Sequence, residues 1–196
     1  MHKMDRKHTT TGRLYWALGE ISYHILHEEP PPGFDCGREE QNAFLYGHAW
    51  ADLQDRLSTT YLFFIQGRLA AFAAVVMAGL VLGRKERGQI RFKHVGALKL
   101  CQLGVDRRFA GKGLGRFIVG FMTAFAWDVG REVACRYVTL DAQPELVGWY
   151  EGRGFVRNRT MQAQRIEEAQ RFGRTPEQVP VSMRFDLRED RRLRLA

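Results

Sequence analysis

Apolar and polar positions alternate along this chain with two different periods, and the change between them is clearest from Leu98 to Phe125. Leu98 to Val105 is an apolar run that reads as a buried strand, and Asp106 to Ala110 is a short polar loop. From Leu114 onward the apolar residues Leu114, Phe117, Ile118, Phe121 and Phe125 fall at helical spacing, so an amphipathic helix is expected, with Gly130 as its C′ residue. Tyr61–Ile65 and Leu69–Leu80 predict a strand pair across Gly67-Arg68. Tyr137–Asp141, Phe155-Val156 and the alternating Val181–Leu187 predict further strands. Glu39–Leu57 predicts a helix with Phe44, Leu45, His48 and Leu53 on one face, and Pro144 opens a short helix over Glu145–Gly152. Two readings stay open between Arg13 and His27: Leu14, Leu18, Ile21 and Ile25 fit a helix, while Tyr15–Leu18 alternates like a strand.

The remaining stretches read as connections. Glu28 to Gly33 is a proline-rich break, Gly83 to Gly88 a charged loop, and Met161 to Arg174 a polar segment of helical propensity. Met1–Gly12 and Arg188–Ala196 read as loose ends. Strands alternating with helices, together with long antiparallel neighbours, give an α/β class with a mixed, mostly antiparallel sheet. The organisation expected is a single domain over 1–196, with an N-terminal extension at 1–33, a surface insertion at 159–180 and a tail at 188–196.

Composition narrows the partners. The chain has 196 residues, a net charge of +8 and a pI near 9.8, which suits polyanions such as RNA, DNA or an anionic cofactor and equally a merely soluble basic protein. Three cysteines, Cys36, Cys101 and Cys135, form no Cys-x-x-Cys pair, and six histidines show no metal-ligand spacing, so neither a disulfide framework nor a metal site is expected. Tyr61 to Leu82 is broken by Gln66-Gly67-Arg68 and is too short on either side to span a membrane; the polar first residues show no secretory signal, and a cytoplasmic home is expected.

The chemistry concentrates in Gly111-Lys112-Gly113-Leu114-Gly115. A helix start leaves backbone N–H groups without intrahelical acceptors, its dipole favours negative charge, and glycines let an anion come close. The stretch is therefore either a phosphate cradle or a tight strand-to-helix turn. It is no Walker loop, because Arg116-Phe117 follows Gly115, and the spacing does not fit a dinucleotide fingerprint.

The arrangement resembles the acetyl-CoA motif of the GNAT N-acetyltransferase superfamily, a strand ending in Val-Asp followed by Arg/Gln-x-x-Gly-x-Gly/Ala. Aligned from Val105, the motif glycines are Gly113 and Gly115, and Ala110 stands at the Arg/Gln position. A shifted frame would begin at Arg108. A second element, Val138 to Gln143 and then Gly148-Trp149-Tyr150-Glu151-Gly152-Arg153-Gly154-Phe155, resembles the superfamily's Asn-x-x-Ala…Tyr-Glu-x-x-Gly-Phe, with Gln143 where Asn is usual. Phe34-Asp35-Cys36-Gly37 is similar to the start of bacterial GNATs that include acetyltransferase toxins of toxin–antitoxin systems.

The resemblance covers about 34–187. It implies a GNAT fold whose sheet splays at the cofactor. Acetyl-CoA would lie along Leu103, Gly104 and Val105, with Gly104 easing a bulge. Its diphosphate would sit on Ala110, Gly111, Lys112, Gly113, Leu114, Gly115 and Arg116, with Gln143 close to it. Tyr150 is implied as general acid toward the leaving thiolate in direct acetyl transfer to a primary amine. The base stays open among Glu145, Glu151, Asp141 and water. For the toxin-like members the acceptor is the α-amine of aminoacyl-tRNA, with an antitoxin as partner and a homodimer as one assembly. A small-molecule or protein amine, or a non-catalytic CoA- or nucleic-acid-binding module, are the alternatives.

Overall fold

The computed structural model describes residues 11–16 and 19–189; of the loose ends expected at Met1–Gly12 and Arg188–Ala196, residues 1–10 and 190–196 lie outside the described residues, whereas Thr11 and Gly12 belong to the first strand and Arg188 and Glu189 to a 3₁₀ turn over Leu187–Glu189. The first described elements form a hairpin, β1 (Thr11–Trp16) and β2 (Gly19–Ile25), Trp16 paired with Gly19. Of the two readings open there, the strand holds. β2 is also taken up by β3 (Thr59–Ile65), from Ile21–Ile65 to Ile25–Tyr61, and this tertiary ladder decides where local periodicity was ambiguous.

Between these strands the expected helix is two: α1 (Glu39–Gly47) and α2 (Ala49–Gln54), parted at His48, which is exposed. Leu45 and Ala49 are fully buried. β3 turns into β4 (Arg68–Val81) through Gln66 and Gly67, whose φ values of +50° and +73° make a two-residue type I′ turn. The turn therefore sits one residue earlier than expected. The β3–β4 register slips between Phe63 and Phe64, because Phe63 faces Ala71 while Phe64 faces Leu69, leaving Ala70 as a bulge.

The stretch read as a charged loop holds one helical turn, α3 (Arg84–Arg87). β5 (His94–Val105) is followed by a 3₁₀ turn over Arg107–Phe109 and by α4 (Leu114–Glu132). The buried stripe of α4 is Leu114, Ile118, Met122 and Ala126, while Phe117, Phe121 and Phe125 are half-buried, so the inward face is turned from the one expected. Gly130 does not end this helix. It lies inside the last turn, where a Cβ would come within 3.0 Å of the Cys135 carbonyl.

β6 (Tyr137–Ala142), a 3₁₀ turn at Pro144–Leu146, α5 (Val147–Glu151), β7 (Val156–Arg157), α6 (Arg159–Arg171) and β8 (Val181–Asp186) follow. The strands are hydrogen-bonded in the order β1-β2-β3-β4-β5-β6-β8-β7. β5 and β6 are parallel from Ala97–Tyr137 to Leu100–Leu140, and no residue of β5 beyond Leu100 belongs to that ladder; the β6–β8 and β7–β8 ladders are antiparallel.

Internal contacts divide the chain into two compact units, 1–75 with 102–119 and 76–101 with 120–196. The first is built around Leu26, Phe34, Leu45, Leu62, Leu69 and Phe72, with Phe34 and Phe44 packed on the Phe72 ring. The second holds Leu80, Leu82, Ala97 and Tyr137 as one cluster, and the Tyr150, Phe155 and Phe185 rings in sequence at 5.5 Å centroid spacing. No helix of the described residues is long and apolar enough to cross a membrane.

Candidate active site

The glycine loop lies in the first unit. Ala110 is exposed and extended, with ψ of 155°, and Gly111 and Gly113 have φ of +73° and +86°, a region that only glycine enters readily. Around Gly111 a Cβ would meet nothing within 4 Å, so this glycine answers to backbone conformation and to open space before it, not to packing. The first intrahelical bond of α4 runs from the Phe117 N–H to the Gly113 carbonyl at 3.0 Å. The amides of Leu114, Gly115 and Arg116 precede it and are the ones a helix start leaves for an anion. Lys112 is exposed; its ammonium donates to the Arg108 carbonyl at 3.0 Å and lies 5.9 Å from the Phe109 ring centre.

Upstream, Leu103 and Val105 are half-buried and Gly104 is buried. What Gly104 allows is close approach: a Cβ there would stand 2.4 Å from the Phe72 ring and 3.2 Å from Phe34. The Arg108 of the shifted frame is not presented to an anion. Its guanidinium is held by Asp106, at 2.7 and 2.8 Å, and by the Gly33 carbonyl at 2.9 Å.

Asp106 holds a place in the site that no local pattern announces. Its side chain is 2% exposed and accepts from the Arg108 side chain, from the Arg108 N–H at 2.9 Å and from the Asp35 N–H at 3.1 Å. The Arg108 hydrogen bonds, against the opposing cost of burial, hold its carboxyl at a pKa of about 2. Asp35 answers in kind: its carbonyl takes the Arg107 N–H at 2.9 Å, and its carboxylate pairs with Arg107 at 3.1 Å and accepts from Asn42 and the Gly37 N–H. The Phe34-Asp35-Cys36-Gly37 segment is thus a strap across the back of the loop. Cys36 is half-buried, its Sγ on Asn42 Oδ1 at 3.1 Å, and burial raises its pKa, which makes it a poor nucleophile. Nothing local marks this strap, because its two aspartates stand 71 residues apart.

Gln143 and Tyr150 lie in the second unit. Gln143 is half-buried, and its carbonyl accepts from Leu146 in the turn that leads to α5. Tyr150 is 7% exposed, packed edge-on against Trp149 at 4.8 Å and Phe155 at 5.5 Å. Arg153 stacks its guanidinium 3.5 Å from the centre of the Trp149 ring and donates to the Trp149 carbonyl. Of the three acids open as base, Asp141 is clamped by Lys99 at 2.9 Å and by Arg165. Burial alone would raise its pKa, but these two cations hold it below the usual carboxylate range. Glu151 pairs with Arg157 at 3.0 Å, and Glu145 is exposed. Among the described residues no group of three His, Cys, Asp or Glu could hold a metal ion.

No family model matches the sequence, and no curated protein matches it either. Solved structures do. A tyrosine-to-phenylalanine mutant of KacT superposes with a TM-score of 0.70 at 15% identity, covering 88% of this chain and 98% of that one. A mutant of the AtaT toxin bound to the C-terminus of the antitoxin AtaR and acetyl-CoA gives 0.64 at 16% identity, covering 89% and 96%. AtaT complexed with acetyl-methionyl-tRNAfMet gives 0.62 at 19% identity, covering 70% and 87%. The strand order, the parallel β5–β6 pair and these superpositions together show that the chain has the GNAT acetyltransferase fold.

Proposed function

We propose that the protein is an acetyl-CoA-dependent N-acetyltransferase, a single domain over 1–196 that transfers acetyl to a primary amine by direct attack. The observation that carries the reading is the exposed loop in which Gly111 and Gly113 take left-handed conformations immediately before the start of a 19-residue helix. The amides of Gly111 to Arg116 would hold the coenzyme A diphosphate, and the backbone of Leu103, Gly104 and Val105, past the end of the β5–β6 ladder, would pair with the pantetheine arm. The residues fit that group: the loop offers amides and cations rather than carboxylates, and its one acid, Asp106, is turned inward onto the strap.

In the reaction the amine nitrogen attacks the acetyl carbonyl carbon, the carbon–sulfur bond breaks, and the sulfur leaves as thiolate. Tyr150 would give that thiolate its proton, a phenol matched in pKa to a thiol. The amine's own proton would depart to one of Glu145, Glu151, Asp141 or water. The acceptor favoured is an aminoacyl-tRNA: the chain carries +8, and a neighbour of the same fold is complexed with acetyl-methionyl-tRNAfMet. An antitoxin-like protein would be its partner, and the cytoplasm its place of action.

The test is titration calorimetry with coenzyme A, followed by turnover on aminoacyl-tRNA and on small amines. Tyr150→Phe is expected to keep cofactor affinity and to lose about 10²–10⁴-fold in kcat, the usual worth of a general acid. Unchanged turnover in that variant removes Tyr150 from the mechanism, and absence of coenzyme A binding by the wild type removes the enzyme reading.

A further inference from the structure

The second unit carries a surface that acetyl transfer does not use. A depression of about 1230 Å³ lies among α3, β7, the start of α6 and β8, lined by the cations Arg84, Lys85, Arg157, Arg159 and Arg184. Its two carboxylates are engaged within the protein. Glu86 accepts from the Arg184 guanidinium at 2.9 Å and from the first amides of α6, Arg159 at 2.8 Å and Thr160 at 3.1 Å. Glu151 accepts from Arg157 at 3.0 Å. Among the described residues Arg84, Lys85 and Arg159 form no ion pair, and all three are exposed, so the charge left over is positive. A second depression of about 600 Å³ shares Glu86, Val156 and Arg184 and continues past Arg87.

We infer that this face, α3 with the first turn of α6, docks the phosphate backbone of a folded RNA. The inference deepens the aminoacyl-tRNA reading and rests on it, since the RNA would be the body of the acceptor. Three features favour RNA. Small-molecule pockets run to about 300–1,000 Å³ with mostly apolar walls, whereas this one is wider and walled by charge. Guanidinium groups match phosphate oxygens in pairs, and of the three lining cations without an ion pair among the described residues two, Arg84 and Arg159, are arginines. A protein partner would want apolar anchors, yet among the exposed large hydrophobics of the described residues only Val156 lies here. The α6 N-terminus is not itself the anion site, because Glu86 already occupies its first amides.

The experiment is filter binding of an uncharged tRNA transcript to the full chain between about 50 and 200 mM salt, without acetyl-CoA. Arg84→Glu with Lys85→Glu is expected to weaken binding at least about tenfold and to flatten the salt dependence by about one unit per lost phosphate contact. Arg84→Gln with Lys85→Gln should give a smaller loss in the same direction. Arg174→Glu, just beyond the far end of α6, a helix about 18 Å long from Arg159 to Arg171 at 1.5 Å per residue, is the control for bulk charge and should cost less than about twofold. Coenzyme A titration of each variant reports whether it is folded. If the wild type binds no tRNA, the acceptor reading falls. If the wild type binds and the α3 pair loses no more than Arg174→Glu, the surface assignment alone is overturned. Polyglutamate displacing tRNA more tightly than tRNA itself binds would also overturn it, in favour of an acidic protein.

Discussion

Two carboxylates organise two regions of this molecule, and they do so differently. Asp106, in the first unit, draws its arginine from two residues away and reaches only a backbone N–H, that of Asp35, at long range. Glu86, in the second unit, takes its arginine from 98 residues away and caps a helix 73 residues on. The first knot is mostly local and fixes the base of the glycine loop proposed to hold the cofactor. The second is wholly tertiary and fastens α6 to α3. Loss of the first should therefore be felt in binding, and loss of the second in stability.

Breaking Glu86 tests the stronger half. Its side chain is 11% exposed and that of Arg184 13%, so Glu86→Ala leaves a largely buried cation with the neutral acceptors Asn158 Oδ1 and the Arg157 carbonyl but without its carboxylate, and uncovers two helix amides. A loss of about 3 kcal/mol in denaturant unfolding is expected. Asp106→Ala should cost less, about 2 kcal/mol, but weaken coenzyme A binding about tenfold, because the strap no longer fixes the loop. An equal effect of both variants on cofactor affinity would erase the distinction.

Acid sharpens it further. The carboxyl of Asp106 lies near pKa 2, below its unfolded value, so its contribution is complete above about pH 4 and fades as pH falls toward 2. Cofactor affinity should decline over that window in the wild type and be flatter in Asp106→Asn, read by calorimetry. The smallest effect belongs to Gly111→Ala: at φ +73° with nothing nearby to clash, it should cost about 1 kcal/mol by backbone strain alone, measured by chemical denaturation.

What the sequence made legible was local. The strand, glycine loop and helix from Leu98 to Phe125 announce themselves because apolar period and glycine conformation act over a few residues, and the β3–β4 pair is visible for the same reason. The hairpin at 11–25 was ambiguous, because positions 14, 18, 21 and 25 satisfy a helical spacing and only pairing with β3 settles the matter. Gly130 misled because a glycine inside a helix and one beyond its end look alike until the Cys135 carbonyl is seen against it. Neither knot was readable: each joins side chains to amides across dozens of residues, and no periodicity encodes that.

The bulge at Ala70 has a reach beyond its own strand. By carrying one residue too many, β4 frees the Ala70 carbonyl to take the Asp106 N–H at 2.9 Å, so the phase of an early hairpin sets where a much later turn begins. Deleting that alanine would resynchronise the two strands and swing the wrong carbonyl toward Asp106. The conformation of the glycine loop would then be lost with every one of its own glycines intact, and a scan confined to the glycine-rich segment would never discover why.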